Sequence, residues 1–204
     1  MRPEYWLRAK RALTRRDAVL ANIIRAYPRI ALMRRGEPFK TLARSIVGQQ
    51  ISVKAAESVW NRVLGVAPDA TPAQMLKARR RLPDCGLSQR KAEYIADLAR
   101  HFVDGSIHAR DWPDMDDEAV IAELVQVRGI GRWTAEMFLM FNLLRPDVLP
   151  LDDLGLQRAM ALHYFNGERA AREQMRELAA NWAPWRSVAT WYLWRSLDPV
   201  VVEY

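Results

Sequence analysis

The stretch VRGIGRWTAEMF, residues 127–138, places two glycines between two segments with helical apolar spacing. A strand followed by GxG and a helix is typical of a dinucleotide site, but the preceding DEAVIAELVQV follows a capping aspartate and has helical periodicity. A lone helix C-cap would account for Gly129 but not for Gly131. A helix–Gly-Ile-Gly–helix hairpin explains both, because Gly129 can turn with positive φ and Gly131 lets the backbone approach a ligand closely. The second helix then presents free N–H groups to a phosphate, beside the positive charge of Arg132.

The composition describes a folded and basic protein. With 204 residues, 50% of them hydrophobic, the chain can form one large domain or two small lobes with a core. Its formal net charge is +7, from 31 lysines and arginines against 24 acidic residues. This surplus indicates a polyanionic partner, either nucleic acid or an anionic membrane face, although an arginine-rich solvated surface would give the same charge.

Cysteine and histidine usage argues against several classes of site. The single cysteine, Cys85, cannot form a disulfide within the chain, and it cannot supply an iron–sulfur cluster or a cysteine-based zinc site. His101, His108 and His163 lie far apart without metal-ligand spacing, so we expect structural roles for them. No apolar run reaches the roughly 18 residues of a membrane span, and the N-terminal segment lacks the apolar core of a signal peptide. We therefore expect a protein of the reducing cytoplasm.

Helical periodicity runs through almost the whole chain and predicts an all-α fold. Capping residues followed by apolar helical spacing mark most helix starts. The predicted helices are AVLANIIRAY after Asp17, residues 38–48, residues 52–65, a helix opened by Thr71 and Pro72, QRKAEYIADLARHF after Ser88, DEAVIAELVQV after Asp116, a helix from Gly131 that aligns Trp133, Met137, Phe141 and Leu144, a helix opened by Asp152 or Asp153, residues 168–181 and residues 187–197. No convincing alternating strand is present, although Val200, Val201 and Val202 could form a short extended tail.

The hairpin segment LVQVRGIGRWTA resembles the hairpin of the helix-hairpin-helix DNA glycosylases, whose usual form is L-x-x-hydrophobic-Pro-Gly-hydrophobic-Gly-x-x-Thr-Ala. The chain departs from that form at Arg128, which stands where proline is usual. Three further segments, FKTLARSIVGQQISVKAA, CGLSQRKAEYIADLA and NWAPWRSVATWYLW, resemble the 3-methyladenine DNA glycosylase II (alkylpurine DNA glycosylase) branch. The similarity covers roughly residues 17–197 in family order, and from it we expect this chain to lack the extra N-terminal domain of longer relatives.

The resemblance implies an all-α, two-lobed helix-hairpin-helix DNA glycosylase fold with the active-site cleft between the lobes. One lobe would comprise residues 38–145 and contain the hairpin at 124–135. The other lobe would combine residues 1–37 with residues 146–204.

The resemblance also implies a catalytic aspartate at the start of the helix that follows LPLDDLGLQR. Its position three residues before the aliphatic Leu156 selects Asp153, and Asp152 is then expected to cap the helix or orient the loop. Without the family, helix capping would be the preferred interpretation of both residues. A carboxylate beside C1′ would stabilise the positive charge that develops on the sugar when an N-glycosidic bond breaks.

The same resemblance assigns Trp133, Trp194 and Met137 to the base pocket. An aromatic face attracts a cationic alkylated purine more than a neutral base, by about 0.5–2 kcal/mol. Bifunctional relatives carry a lysine nucleophile at the position of Trp133, so this chain is expected to be a monofunctional hydrolase without lyase activity. Taken alone, each tryptophan would be interpreted as part of the core.

A duplex hides the glycosidic bond, so the target nucleotide must flip out. The resemblance implies that Gln49 and Gln50 fill the gap. The other expected DNA contacts are Gly129, Gly131, Arg132, Thr134 and Lys91. The family hairpin also binds a monovalent cation such as Na⁺ or K⁺ through backbone carbonyls, here those of Val125, Val127 and Ile130.

Together these features indicate a monomeric DNA glycosylase that releases 3-methyladenine, 7-methylguanine and similar purines from double-stranded DNA. It would leave an abasic site for base excision repair, require no cofactor for its chemistry, and work in the cytoplasm of a bacterial-type cell. Two alternatives remain open at this point. One is a helix-hairpin-helix module that binds DNA without cutting it, and the other is a glycosylase for a different class of lesion.

Overall fold

The computed structural model describes residues 2–197, and within them every regular element is helical. This confirms the predicted all-α class, while Val200, Val201 and Val202 lie outside the described residues. The helices are α1 (Trp6–Arg16), α2 (Ala18–Ala26), α3 (Pro38–Gly48), α4 (Val53–Val66), α5 (Pro72–Ala78), a short 3₁₀ helix (Pro83–Cys85), α6 (Gln89–Val103), α7 (Asp117–Leu124), α8 (Arg132–Phe141), α9 (Leu154–Tyr164), α10 (Arg172–Ala180) and α11 (Arg186–Leu197).

Most helix starts follow from side-chain capping. At five starts besides that of α9, the side chain of the N-cap residue accepts a hydrogen bond from a backbone N–H of the first turn, as its position in the sequence predicts. These N-caps are Asp17 for α2, Ser52 for α4, Thr71 for α5, Ser88 for α6 and Asp116 for α7.

Four helices differ clearly from the sequence prediction, and one of them is α7, which ends at Leu124 and not at Val127. Helix α1 was not predicted, because its N-cap residue Tyr5 makes no side-chain capping bond. Helix α8 ends at Phe141 instead of including Leu144, whose φ of +56° is incompatible with a right-handed helix. Helix α10 begins at Arg172, after a turn at Gly167 with φ of +87°.

The described chain divides into two compact units, one formed by residues 2–34 and 139–197 and the other by residues 35–138. In the first unit α1 packs on α2 and α11, and α9 packs on α11. Its buried aromatic side chains include Trp6, Trp182 and Tyr192. The predicted lobes, 38–145 and 1–37 with 146–204, and the cleft between them stay a prediction.

In the second unit α3 packs on α4 and α6, and α5 packs on α6. An aromatic chain runs through its interior, with edge-to-face contacts from Phe39 to Phe102, from Phe102 to Trp112 and from Trp112 to Phe138. The hairpin between α7 and α8 belongs to this unit, whose boundary falls within α8 after Phe138.

The rings of the three histidines form hydrogen bonds to side chains of the protein, which agrees with the structural roles predicted for them. The ring of His101 forms a hydrogen bond with Ser106, that of His108 with Glu123, and that of His163 with Ser196.

Across residues 2–197 no helix is long and apolar enough to cross a bilayer. The same residues contain no group of three or more His, Cys, Asp or Glu side chains that could hold a metal ion.

Candidate active site

Asp153 is the N-cap of α9, in the unit formed by residues 2–34 and 139–197. Its Oδ1 accepts a 2.6 Å hydrogen bond from the N–H of Leu156, and its own N–H donates to the carbonyl of Pro150 at 3.0 Å. Only 9% of the residue is exposed. The backbone of the first helical turn therefore fixes the direction of this carboxylate, and the N-terminal end of the helix favours its negative charge.

Trp194 on α11 supplies a second donor to the same carboxylate. Its indole N–H donates to Asp153 Oδ1 at 2.8 Å. The indole is partly exposed and lies parallel to the ring of Phe141, with centroids 6.0 Å apart and an interplanar angle of 10°. A hydrogen bond from this anchored ring restricts the carboxylate more than water would, so α9 and α11 together orient Asp153.

Gly155 leaves the room that this pair occupies. A Cβ at position 155 would lie 3.1 Å from Asp153 Oδ1 and 3.2 Å from both Cδ1 and Nε1 of Trp194. Both distances are shorter than ordinary van der Waals contact. Sequence reasoning missed this role, although a glycine in the first turn of a helix that begins with a candidate catalytic aspartate was a usable signal.

Asp152 and Asp153 have separate surroundings. The expectation that Asp152 caps the helix is wrong, because Asp153 occupies the N-cap position. Asp152 is exposed and forms an ion pair with Arg172 at the start of α10, which agrees with the alternative expectation that it orients the loop. The carboxylate with two protein N–H donors and little exposure is thus the one selected from the sequence.

The hairpin in the unit of residues 35–138 has the geometry that its two glycines predict. Gly129 adopts φ of +86°, and a Cβ there would overlap the ring of Tyr94, with its Cδ2 atom only 2.2 Å away. At Gly131 nothing lies within 4 Å of the position that a Cβ would take, so the protein itself does not require glycine there. This open space at the start of α8 suits close approach of an external ligand to the backbone.

The carbonyls expected to bind a cation lie in this same hairpin. The oxygen of Val127 accepts a 3.1 Å hydrogen bond from the N–H of Ile130, which uses one of its two lone pairs. Val125 is 43% exposed, whereas Val127 and Ile130 are buried. Carbonyl oxygens are suitable ligands for Na⁺ or K⁺, and the cation site stays a prediction.

The two polar residues expected to contact DNA at the start of α8 have protein surroundings of their own. The guanidinium of Arg132 donates to both carboxylate oxygens of Glu118 and to Glu136 Oε1 at 3.1 Å. The hydrogen bond to Glu118 is the main reason that the pKa of Arg132 is raised. Thr134 is only 8% exposed. A phosphate at this position would contact the backbone N–H groups more readily than these two side chains.

Lys91 and Gln49 also connect elements of this unit. The ammonium of Lys91 donates to the carbonyls of Val47 and Gln49, at 2.8 and 2.7 Å, and so satisfies the C-terminal end of α3. Burial lowers the pKa of Lys91. The amide of Gln49 donates to the carbonyl of Gly129 at 2.8 Å, which links the α3–α4 turn to the hairpin. The spacing of residues in the sequence predicts neither the hydrogen bonds of Lys91 nor that of Gln49.

Gln50 differs from its neighbour. It is exposed, adopts the left-handed φ of +60°, and lines a surface pocket of about 300 Å³ beside Gln49 and Ile51. A non-glycine residue in this region of φ is uncommon and costs about 1–3 kcal/mol, and such residues cluster at functional sites. Of the two glutamines expected to fill the gap in DNA, Gln50 therefore has the accessible side chain.

Trp133 and Met137 lie one helical turn apart on α8, within residues 35–138. Trp133 is 41% exposed, which is unusual for so large an aromatic side chain. Met137 is partly exposed. The structure thus brings Asp153 and Trp194 into contact in one unit and places Trp133 and Met137 on one helix of the other. Their joint role as a base pocket stays a prediction.

Residues 43–184 match the HhH-GPD superfamily of base excision DNA repair proteins. The match covers more than half of the chain, and the hairpin with a following helix capped by aspartate agrees with it. The chain therefore belongs to this superfamily, which confirms the resemblance found in the sequence.

Individual proteins in this comparison carry related names. The chain is 40% identical over 117 residues to a Bacillus subtilis protein named putative DNA-3-methyladenine glycosylase YfjP, which matches 57% of this chain and 41% of the relative. The chain thus spans less than half of that relative's length. The structure resembles DNA-3-methyladenine glycosidase from Bacillus halodurans, with a TM-score of 0.85, 34% identity and coverage of 96% of this chain and 92% of the other.

A third similar protein was solved with nucleic acid. It is the 3-methyladenine DNA glycosylase Mag1 from Schizosaccharomyces pombe in complex with abasic DNA. The TM-score is 0.81 at 27% identity, and the similarity covers 97% of this chain and 99% of Mag1. The similarity of fold therefore extends over nearly the whole length of a glycosylase that has been seen on DNA.

Proposed function

We propose that this protein is a monofunctional DNA glycosylase that extrudes alkylated purines from duplex DNA and hydrolyses their N-glycosidic bond. Its product is an abasic site for base excision repair. The observation that carries the proposal is the carboxylate of Asp153, held at the N-terminal end of α9 by hydrogen bonds from Leu156 and Trp194. Membership of the HhH-GPD superfamily and similarity to proteins named 3-methyladenine glycosylases support the substrate class.

The proposed chemistry requires one charged group on the enzyme. The bond between C1′ and the base nitrogen breaks with its electron pair passing to the base, and positive charge develops on the sugar. The carboxylate of Asp153 stabilises that charge, and its two fixed donors reduce the reorganisation needed when the charge appears. A water molecule then forms the bond to C1′ and releases a proton. Cationic bases such as 3-methyladenine and 7-methylguanine leave as neutral molecules, so a strong general acid is unnecessary.

The side chains at positions 133, 137 and 194 support an alkylated substrate. In this proposal Trp133, Trp194 and Met137 contact the extruded base, and the aromatic faces favour a cation over a neutral purine. Trp133 also stands where bifunctional relatives carry lysine, and an indole cannot form a Schiff base. The expected product is therefore an intact abasic site without strand cleavage.

DNA would be held by the hairpin and the turn after α3. Gly129 makes the turn with its positive φ, Gly131 leaves room for a phosphate beside the backbone, and the first N–H groups of α8 bind it without reading sequence. Gln50 would enter the gap left by the extruded nucleotide. Arg132, Thr134 and Lys91 contribute mainly by holding this surface, because their side chains already have protein partners or are buried.

We also infer the conditions under which this reaction proceeds. It requires no cofactor, and the hairpin carbonyls of Val125, Val127 and Ile130 bind a monovalent cation that bridges to a phosphate. The protein acts as a monomer in the cytoplasm, where double-stranded DNA is its partner. Replacing K⁺ by a bulky organic cation should weaken binding to DNA while leaving the rate of base release by the bound enzyme unchanged.

Asp153→Asn tests the assignment of the catalytic residue. Asparagine is as good an N-cap as aspartate and keeps an oxygen for both donors, so the fold should be retained. Loss of the charge should slow single-turnover release of 7-methylguanine from duplex DNA by about 10²–10³-fold, on the order of 3–4 kcal/mol. Binding to undamaged duplex should persist. The matched control is Asp152→Asn at the exposed neighbour, which should release base at nearly the wild-type rate.

Other outcomes would select the alternatives. Wild-type protein that binds duplex DNA but releases no base would be a non-catalytic helix-hairpin-helix module. A panel of duplexes containing 3-methyladenine, 7-methylguanine, hypoxanthine or 8-oxoguanine defines the lesion class. A strong preference for 8-oxoguanine would contradict a pocket that attracts cationic bases.

A further inference from the structure

The hairpin departs from the usual family form at one position, where Arg128 replaces proline. Proline fixes φ near −65° and has no N–H, so it stiffens a turn without needing a hydrogen-bond partner. Arginine leaves the backbone freer and adds an N–H donor. A hairpin with arginine at this position needs another source of rigidity, and the contacts of Arg128 identify one.

Asp97 on α6 receives both the backbone and the side chain of Arg128. Its Oδ2 accepts the N–H of Arg128 at 3.0 Å, and its Oδ1 lies 3.3 Å from the Arg128 guanidinium. Arg100 donates to the same Oδ1 at 2.7 Å, and His101 Nε2 lies 3.8 Å from Oδ2. Asp97 is only 9% exposed. The hydrogen bond to the N–H of residue 128 is one that a proline hairpin cannot make.

Two further contacts act on the next residue of the hairpin. The ring of Tyr94, one turn before Asp97 on α6, lies against Gly129 where a Cβ would otherwise be. The amide of Gln49 donates to the Gly129 carbonyl. Three contacts therefore hold this part of the hairpin. Asp97 binds the N–H of Arg128, the Tyr94 ring packs against Gly129, and Gln49 binds the Gly129 carbonyl. Removing Asp97 would release the N–H contact while leaving the other two in place.

We propose that Asp97 is a positioning residue, which fixes the backbone of the hairpin for DNA phosphates and takes the place of the missing proline. The inference rests on the proposed function only in that the hairpin binds DNA. It does not depend on which lesion is removed, or on whether any base is released.

Whether Asp97→Ala weakens or strengthens DNA binding distinguishes a positioning role from a purely electrostatic effect of the lost charge. Asp97 is an acidic residue in contact with a hairpin that binds a polyanion, so removing its charge should by itself strengthen DNA binding. If Asp97 positions the hairpin, Asp97→Ala should instead weaken binding, although the variant is more positive than the wild type. A structural hydrogen bond of ordinary strength corresponds to a loss of about five-fold in affinity.

The experiment measures the Kd for an undamaged duplex with four proteins, namely the wild type, Asp97→Ala, Arg128→Pro and the double variant. Asp97→Ala should weaken binding about five-fold in the wild-type background. In the Arg128→Pro background, where no N–H remains at position 128, the same change should have less than about a two-fold effect. The matched control is Glu93→Ala, which removes an exposed acid from the same helix and should leave binding unchanged or slightly tighter.

Asp97→Asn tests whether the hydrogen bond to Arg128, and not only the charge of Asp97, determines the affinity for DNA. An amide oxygen can still accept the N–H of Arg128, so this variant should bind DNA more tightly than Asp97→Ala. Thermal unfolding of each variant shows that the compared proteins are folded at the assay temperature. In base-release assays the effect of Asp97→Ala should appear in the enzyme concentration that gives half-maximal rate, rather than in the maximal rate.

Each outcome has a defined meaning. Tighter binding by Asp97→Ala, or an equal loss in the two backgrounds, would overturn the positioning role. The effect of Asp97→Ala on DNA affinity could disappear in the Arg128→Pro background of a protein that releases no methylated base. This outcome would support the inference and refute the proposed function. The two ideas can therefore fail independently.

Discussion

At the scale of single residues, the arrangement around Asp153 depends on residue 155 being a glycine, which has no side chain. The indole Nε1 of Trp194 lies 2.8 Å from Asp153 Oδ1, and the position that a Cβ of residue 155 would take is close to both groups. Any Cβ there would lie 3.1–3.2 Å from the two hydrogen-bonded groups. Because the indole is stacked on Phe141, relief of this crowding would displace the carboxylate from its present direction.

Gly155→Ala should therefore affect stability and activity in opposite directions. Alanine in the first turn of α9 lowers the backbone entropy of the unfolded chain and should raise stability by about 0.5 kcal/mol if the pair moves aside. A displacement of the carboxylate by a few tenths of an ångström should slow base release by about ten-fold. Urea unfolding and single-turnover release of 7-methylguanine measure the two effects on the same preparation.

Gly65→Ala provides the control for this prediction. Gly65 is exposed near the end of α4, and nothing lies within 4 Å of the position that a Cβ would take. This change should give a similar or larger gain in stability and leave base release unaltered. Equal release rates in Gly155→Ala and the wild type would show that the Asp153–Trp194 pair tolerates the methyl group, and that its geometry does not limit the reaction.

At the scale of elements, the helix caps are not equivalent, and Asp17 differs most from the rest. Its carboxylate caps α2 through the N–H of Leu20, and it also accepts hydrogen bonds from the hydroxyl of Tyr164 and the indole N–H of Trp182, both at 2.8 Å. These three donors come from α2, α9 and the segment after α10. Loss of the carboxylate would leave the buried indole of Trp182 and the half-buried hydroxyl of Tyr164 without their partner, in addition to removing a cap.

Asp17→Ala should destabilise the protein by about 3 kcal/mol, from about 1 kcal/mol for the cap and about 1 kcal/mol for each of the two hydrogen bonds lost from Tyr164 and Trp182. Asp116→Ala, at the exposed cap of α7, should lower the free energy of unfolding by only about 1 kcal/mol. Chemical denaturation at neutral pH measures both. Similar losses in the two variants would mean that water satisfies Tyr164 and Trp182 once the carboxylate is gone.

The elements themselves could mostly be predicted, because capping and helical periodicity are local. Asp17, Ser52 and Ser88 mark helix starts within one residue of those observed. Helix α1 was not predicted because its N-cap residue makes no side-chain capping bond. In addition, basic residues lie between Trp6, Ala9 and Leu13, which form its apolar stripe. The spacing of that stripe, three and then four residues, was the signal that could have revealed it.

The candidate site was predictable to a smaller extent. Motif position selected Asp153 and the two glycines of the hairpin, and their local geometry agrees with the reasons given for them. The contact of Trp194 with Asp153, and that of Asp97 with Arg128, join residues more than 30 positions apart. No local pattern encodes such pairs, since they depend on how helices pack.

At the scale of the whole molecule, acid should destabilise the unit of residues 35–138 through carboxylates that are charged in the folded state. Burial alone would raise the pKa of Asp97, but hydrogen bonds from the N–H of Arg128 and the side chains of Arg100 and Arg128 outweigh it and lower the pKa. His101 also faces this carboxylate. Asp97 therefore contributes stability above the pKa of an unfolded aspartate, about 3.9, and this contribution is lost as pH falls through the lower folded value.

Glu123 on α7 behaves in the same way. Burial raises its pKa, and hydrogen bonds from the indole of Trp112 and from the side chain and backbone of His108 more than offset this, so that the pKa is lowered. Its contribution to stability is present above about pH 4.3, the unfolded value, and disappears as pH falls through the folded one. Protonation of either carboxylate also adds to a net charge that is already +7 at neutral pH, which increases self-repulsion.

The double variant Asp97→Asn, Glu123→Gln should be less stable than the wild type at pH 7 but should lose less stability between pH 5 and pH 3. The reason is that neither side chain can then gain a proton on unfolding, so the pH dependence that they contribute is removed. Hydrogen exchange of α6 and α7, corrected for the intrinsic effect of pH, follows this unit directly. Asp114→Asn, at an exposed aspartate of the same unit, controls for a general change in charge. If the double variant and the wild type lose protection in parallel on acidification, the folded-state interactions of these two carboxylates do not determine the acid stability of the unit.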